Sequence, residues 1–153
     1  MTLQVPIERS WLFQGLHAEA LGRIAAAAIE RRLPAGEAVF REGDPASDLY
    51  VLAEGEVELT YVIHARSPIT MKVAHIMPGD VFGWSTLVQN ETFTGEARTI
   101  VESAVHQISR TSLFEIMDED PRAGYAIMSR LAQLISKRMS DVRTEIRWFL
   151  SSL

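Results

Sequence analysis

The run from Gly79 to Ala97, GDVFGWSTLVQNETFTGEA, gathers the residue types that bind small ligands. Gly83 lets a backbone come close to a ligand or another chain. Ser85 and Thr86 offer hydroxyls, and backbone N–H groups at a helix start attract anions. Phe82, Trp84, Leu87 and Phe93 offer apolar walls, and Thr94 another hydroxyl. Thr92 is accounted for by turn chemistry. An anion held there needs a cation, and none stands in the run. The nearest is Arg98 on the following strand, and Arg143 lies far along the chain. The candidate binding set is therefore Phe82, Gly83, Trp84, Ser85, Thr86, Leu87, Phe93, Thr94, Arg98 and Arg143. Two readings of Trp84 stay open: a wall over a ligand, or a filler of the core.

Other chemistry is thinly supported. The chain of 153 residues has no cysteine, which excludes disulfides and thiol catalysis. His64, His75 and His106 are isolated on different strands, so a metal-binding cupin reading gives way to scattered strand histidines. Asp118, Glu119 and Asp120 precede Pro121, where acids stabilise a helix N-terminus. Arg138 and Arg147 read as a solvated face with Asp141 and Glu145. No nucleophile–base arrangement and no phosphate-binding glycine loop of the nucleotidase type is legible, so no enzyme and no metal site are expected. The net charge of −5 disfavours general nucleic-acid binding. No run is apolar enough to cross a bilayer and no secretory leader is visible, so a cytoplasmic protein is expected.

The elements that must position these residues divide the chain into three. Positions 14–32 carry a helical period through Leu16, Ala20, Ile24 and Ala28, stopped by Pro34 and Gly36. Positions 35–109 hold short β-rich runs between turns. In one of them Val57, Leu59, Tyr61 and Ile63 alternate with polar residues, the pattern of a half-buried antiparallel strand. Strands so spaced, without interleaved helices, predict a jelly roll. Positions 111–150 are helical again, with Thr111 available as a cap and Pro121 opening a long helix. Met128, Leu131, Ile135, Met139, Val142, Ile146 and Phe149 form a stripe on that helix. It is longer than a small β-domain covers, which predicts packing on a second copy; the alternative is a helix lying on the sheet. The whole, 1–153, reads as one mainly β domain with a helix at each end.

The glycines carry a resemblance. LPAGEAVFREGDPASDLYVLAEGEVEL followed by IMPGDVFGWSTL resembles the cyclic-nucleotide-binding domain of catabolite activator and FNR-type regulators. Gly36, Gly43, Gly55, Gly79 and Gly83 match in order, and the likeness runs from about Leu12 to Trp148. FGWSTL with TFTGEARTI further resembles a stand-alone sensor variant whose cassette has degenerated. The resemblance implies a regulatory domain in which backbone N–H groups hold a cyclic phosphate. It also implies an arginine on that phosphate and a glutamate, just after the cassette glycine, on the ribose hydroxyl. Here Trp84 takes the glutamate position and Phe93 falls at or beside the arginine position, while Thr94 keeps the hydroxyl. Two charge-assisted contacts of ~1.5–3 kcal/mol each are thus missing, a loss of roughly hundreds- to ten-thousandfold in affinity.

A small-ligand sensor with weak or altered nucleotide specificity is the function this implies. It signals through the long helix, it has no assignable cofactor, and it forms a homodimer through that helix. A ligand-free dimeric adaptor with a closed pocket is the alternative. The resemblance would also imply a DNA-binding domain after the helix; a complete chain ending at Leu153 would lack it and not bind DNA directly.

Overall fold

Two antiparallel sheets of four strands face one another, and the computed structural model describes residues 4–88 and 91–153. In the first sheet the order is β1 (Ile29–Leu33), β8 (Ser103–Ser109), β3 (Asp48–Glu54) and β6 (Val81–Phe82). In the second it is β2 (Ala38–Phe40), β7 (Glu96–Thr99), β4 (Val57–Ile63) and β5 (Ile69–Ile76). Helix α1 (Ala18–Ala27) precedes the sheets, and α2 (Arg110–Glu119) and α3 (Pro121–Ser151) follow them. This is the expected jelly roll with a long C-terminal helix.

Strand β3 shows how sequence sets the layers. Its run DLYVLAE is apolar without alternation, and a strand covered on both faces has no polar side to show. Leu49 and Val51 join Ile24, Leu113, Ile127 and Leu131 in a core beneath the helices. Tyr50 and Leu52 join Phe40, Val57, Phe82, Phe93 and Val105 between the sheets. At its end Gly55 turns at φ 100°, where a Cβ would sit 2.2 Å from Ser103 Oγ.

Three local expectations need correction. The helix over 14–32 is shorter, because α1 ends at Ala27 and Ala28 is already extended. Ile29–Leu33 pairs with β8 instead, completing a sheet edge and burying Leu33, a tertiary demand that outweighs helix propensity. The cap of α2 is Ser109 rather than Thr111: its Oγ accepts from Ser112 N at 3.1 Å. In β4 the alternation breaks at a bulge between Leu59 and Thr60, and Ile63 is exposed.

The long helix starts as its acids predict. Asp120 Oδ1 accepts from Ala123 N at 3.2 Å, and Pro121 takes a first-turn position where no N–H is needed. Ala123, Ile127, Leu131 and Leu134 bury its first half. Beyond Leu134 no residue of α3 is fully buried, although the helix packs against β5.

Candidate ligand-binding site

Strand β6 delivers Phe82 to Gly83, which turns at φ 75° and ψ 31°, and Trp84–Thr86 form one 3-10 turn. A Cβ at position 83 would lie 3.0 Å from the Tyr50 ring and 3.4 Å from those of Phe40 and Phe93, so glycine is needed for both conformation and space. The end of the turn is engaged internally. Thr86 N donates to Gly83 O at 3.3 Å and Leu87 N to Trp84 O at 2.9 Å. Thr86 Oγ1 donates to Asp48 O at 2.7 Å, and Arg110 Nε donates to Thr86 O at 2.8 Å. The turn is thus tied to β3 and α2.

The space the cradle faces is nearly filled. Phe93 stacks on Phe40 with centroids 3.8 Å apart, and Phe82 and Tyr50 extend the aromatic cluster. What remains is a cavity of about 30 Å³ between Gly83, Trp84, Ser85, Phe93, Thr94 and β4. That is room for a water or two. Glu96 is the charged residue among those lining it. Burial and the nearby Asp48 charge raise the Tyr50 hydroxyl above its ordinary value, so the ring stays neutral within this cluster.

Arg98 does not reach the cavity. Its Nη1 donates to Gly36 O at 2.7 Å and its Nη2 to Glu96 Oε1 at 2.7 Å, so it braces the β2–β7 edge. Leu87 packs into the core under the helices, and Phe82 into the core between the sheets. Gly83, Trp84, Ser85, Phe93 and Thr94 line one space.

Trp84 has a second neighbour. Its indole lines a groove of about 410 Å³ outside the barrel, together with Tyr61 of β4 and Ile135, Arg138, Met139, Val142, Arg143 and Ile146 of α3. The structure thus brings Trp84 and Arg143 together. It also adds two residues that sequence reasoning missed. Tyr61 reads as one of an alternating strand face. Arg138 reads as solvated, yet its side chain is only 12% exposed, its Nη1 lies 3.4 Å from Asp141, and its Nε is buried with no partner among the described residues. The signal for both is the apolar stripe beside them, since whatever flanks a half-covered stripe is drawn inward.

The histidines occupy separate places. His64 lies 3.2 Å from Glu42, His75 lies 3.1 Å from Glu56, and His106 lies 3.3 Å from Val5 O. Among the described residues no three metal-ligating side chains converge. Among the described residues no helix is long and apolar enough to cross a membrane. At the other end of α3, Asp120 contacts His17, and Arg23 pairs with Glu119 at 2.7 Å, joining α1 to the α2–α3 corner. The Ala123 N–H, and then His17, hold the Asp120 carboxyl below its ordinary value.

Comparison with known proteins agrees with this architecture. Residues 30–120 match the family model of the cyclic nucleotide-binding domain. The chain is 26% identical over 147 residues to potassium channel KAT1 of Oryza sativa subsp. japonica, covering 95% of this chain and 20% of the channel. It is 27% identical over 138 residues to a CRP-like cAMP-activated global transcriptional regulator of Mycobacterium tuberculosis, covering 89% of this chain and 60% of the regulator. In both cases it spans less than two thirds of the relative's length. The crystal structure of a Geobacter metallireducens GS-15 protein assigned to cyclic nucleotide binding superposes with a TM-score of 0.73 at 30% identity, covering 88% of this chain and 98% of that one. With an antiparallel jelly roll, a glycine-hinged cassette and a family match over more than half its length, this chain belongs to the cyclic nucleotide-binding domain family.

Proposed function

We propose that this chain is a small-ligand-binding regulatory domain whose nucleotide specificity has been lost or altered, and that it signals through α3. The observation that carries the reading is the contrast between two spaces sharing Trp84. The cassette cavity holds about 30 Å³, and the groove under α3 about 410 Å³. Ligand pockets run to several hundred cubic ångströms, so only the second is of usable size. A ligand there touches α3 directly, and any preference for one position of the helix shifts its population.

The output surface is the C-terminal end of α3 outside the groove, where Trp148 is 71% exposed and Leu150 is exposed beside it. A second copy of α3 is the partner this surface fits, giving a dimer that ligand occupancy tightens or loosens. No catalytic step is assigned to the domain, and the reading places it in the cytoplasm.

Isothermal titration with cyclic AMP and cyclic GMP tests the altered specificity. Binding weaker than micromolar, or none, is expected; a sub-micromolar constant for either nucleotide overturns it. The closed cavity also favours a second reading, a dimeric adaptor that binds no small ligand. A small-metabolite screen separates the two: a ligand that raises the melting temperature and shifts Trp84 emission supports the sensor, and a silent screen supports the adaptor.

A further inference from the structure

We infer that the groove under α3 takes an amphipathic organic anion, with an apolar body against Trp84 and a carboxylate or sulfonate head on Arg138 and Arg143. This rests on the reading of the chain as a small-ligand sensor and names the chemistry of its ligand.

The two spaces beside Trp84 differ in charge as well as in size. Glu96 is the charged group at the cassette cavity, and it already draws Arg98 at 2.7 Å and Arg41 at 3.8 Å. An anion placed there meets a carboxylate and no free guanidinium. The groove has the opposite sign: its charged lining residues are Arg138 and Arg143. Asp141 is the acid near them, and at 3.4 Å it meets only Nη1 of Arg138. The buried Nε of Arg138 lacks an acceptor among the described residues. Arg143, one helical turn and a residue further on, is exposed and makes no hydrogen bond or ion pair among them.

An unsatisfied buried donor is costly, and a charged acceptor is what relieves it most. An oxyanion head provides that acceptor, and a modest turn of the Arg138 side chain presents Nε and Nη together to two of its oxygens. The rest of the groove is the Trp84 indole, the Tyr61 ring and aliphatic side chains, including Met139, which adapts to irregular shapes. Such walls suit a flat or branched apolar body. The head therefore sits on the helix rather than in the cassette, which couples ligand charge directly to the position of α3.

The test uses two fluorescent probes with one ring system. 8-Anilinonaphthalene-1-sulfonate carries an anionic head, and N-phenyl-1-naphthylamine does not. Each is titrated into the wild type, R138Q/R143Q, R138K/R143K, R147Q, W84F and W148F, with circular dichroism confirming the fold. One anionic probe per chain is expected, with tryptophan-sensitised emission that W84F removes and W148F leaves.

R138Q/R143Q is expected to weaken the anion about tenfold, the equivalent of one lost charge-assisted bond in a partly open site. It is expected to leave the neutral probe within about twofold. R138K/R143K should keep most of the anion affinity, and R147Q, which removes a charge outside the groove, should change neither probe. Equal anion affinity in R138Q/R143Q overturns the inference, as does an equal loss in R147Q or sensitised emission carried by Trp148. A second copy seated in the groove would show as anion binding that falls with protein concentration, and this too overturns it. Should the anionic probe fail while another class of small molecule raises the melting temperature, the inference falls and the sensor reading stands. Should every probe, nucleotide and metabolite be silent, both fall.

Discussion

Phe93 lies flat against Phe40, with ring centroids 3.8 Å apart and planes 15° apart. Phe93 falls at or beside the position where the family resemblance puts a phosphate-binding arginine, and here both rings belong to the core between the sheets. Removing one ring should therefore behave as a core mutation. Phe93→Ala is expected to cost ~3–5 kcal/mol. For a chain of this length that lowers the melting temperature by roughly 10 °C. Calorimetry reads it, and a drop of under about 2 °C would show that the ring is not core.

Thr86 is fully buried, and its hydroxyl serves the turn rather than a ligand. Thr86→Val keeps the shape and strands the Asp48 carbonyl. The expected cost is ~1–3 kcal/mol, the penalty for an unsatisfied buried acceptor. A lower urea midpoint with an unchanged slope is the expected result.

Two glycines make a paired prediction. Gly83→Ala meets a left-handed backbone and a Tyr50 ring atom at 3.0 Å, and is expected to destabilise by ~1–3 kcal/mol. Gly22→Ala on α1 has nothing within 4 Å and no positive φ. It should stabilise by ~0.5–1 kcal/mol through helix propensity. Thermal melts of the two variants should move in opposite directions.

The Asp120 carboxyl is held below its ordinary value by the Ala123 N–H and then by His17. A depressed carboxylate adds stability that is complete above its unfolded pKa, about pH 4, and is lost as pH falls through the lower folded value. Asp120→Ala is therefore expected to melt lower than the wild type at neutral pH. The two melting curves should converge as the pH drops below about 4. Parallel curves down to acid pH would remove Asp120 from the acid response.

The fold was legible because its signals are local. Glycines at forced turns, the unbroken apolar run of β3, and Asp120 before Pro121 each specify their own few residues. The end of α1 was not, because IERRL is acceptable helix by propensity and becomes a strand only when β8 offers it a ladder. The site was half legible. Residues that line the cassette are neighbours in sequence, so Gly83, Trp84, Ser85, Phe93 and Thr94 could be named together. The groove is assembled from β4, the 3-10 turn and the far half of α3. Nothing in the spacing of Tyr61, Trp84 and Arg138 announces that they meet. That Arg98 turns towards Gly36 and Glu96 depends on the register of β7 against β2, which composition does not reveal.

The aromatic packing between the sheets also limits how this sequence can change. An arginine at position 93 alone would press a guanidinium against Phe40 and Tyr50, with no phosphate to meet it. A glutamate at position 84 alone would take the indole from the α3 groove and add a second carboxylate near Glu96. Each single step costs packing or adds an unpaired charge. Positions 84 and 93 are thus energetically coupled through the space between them, and charged residues there have to be introduced together.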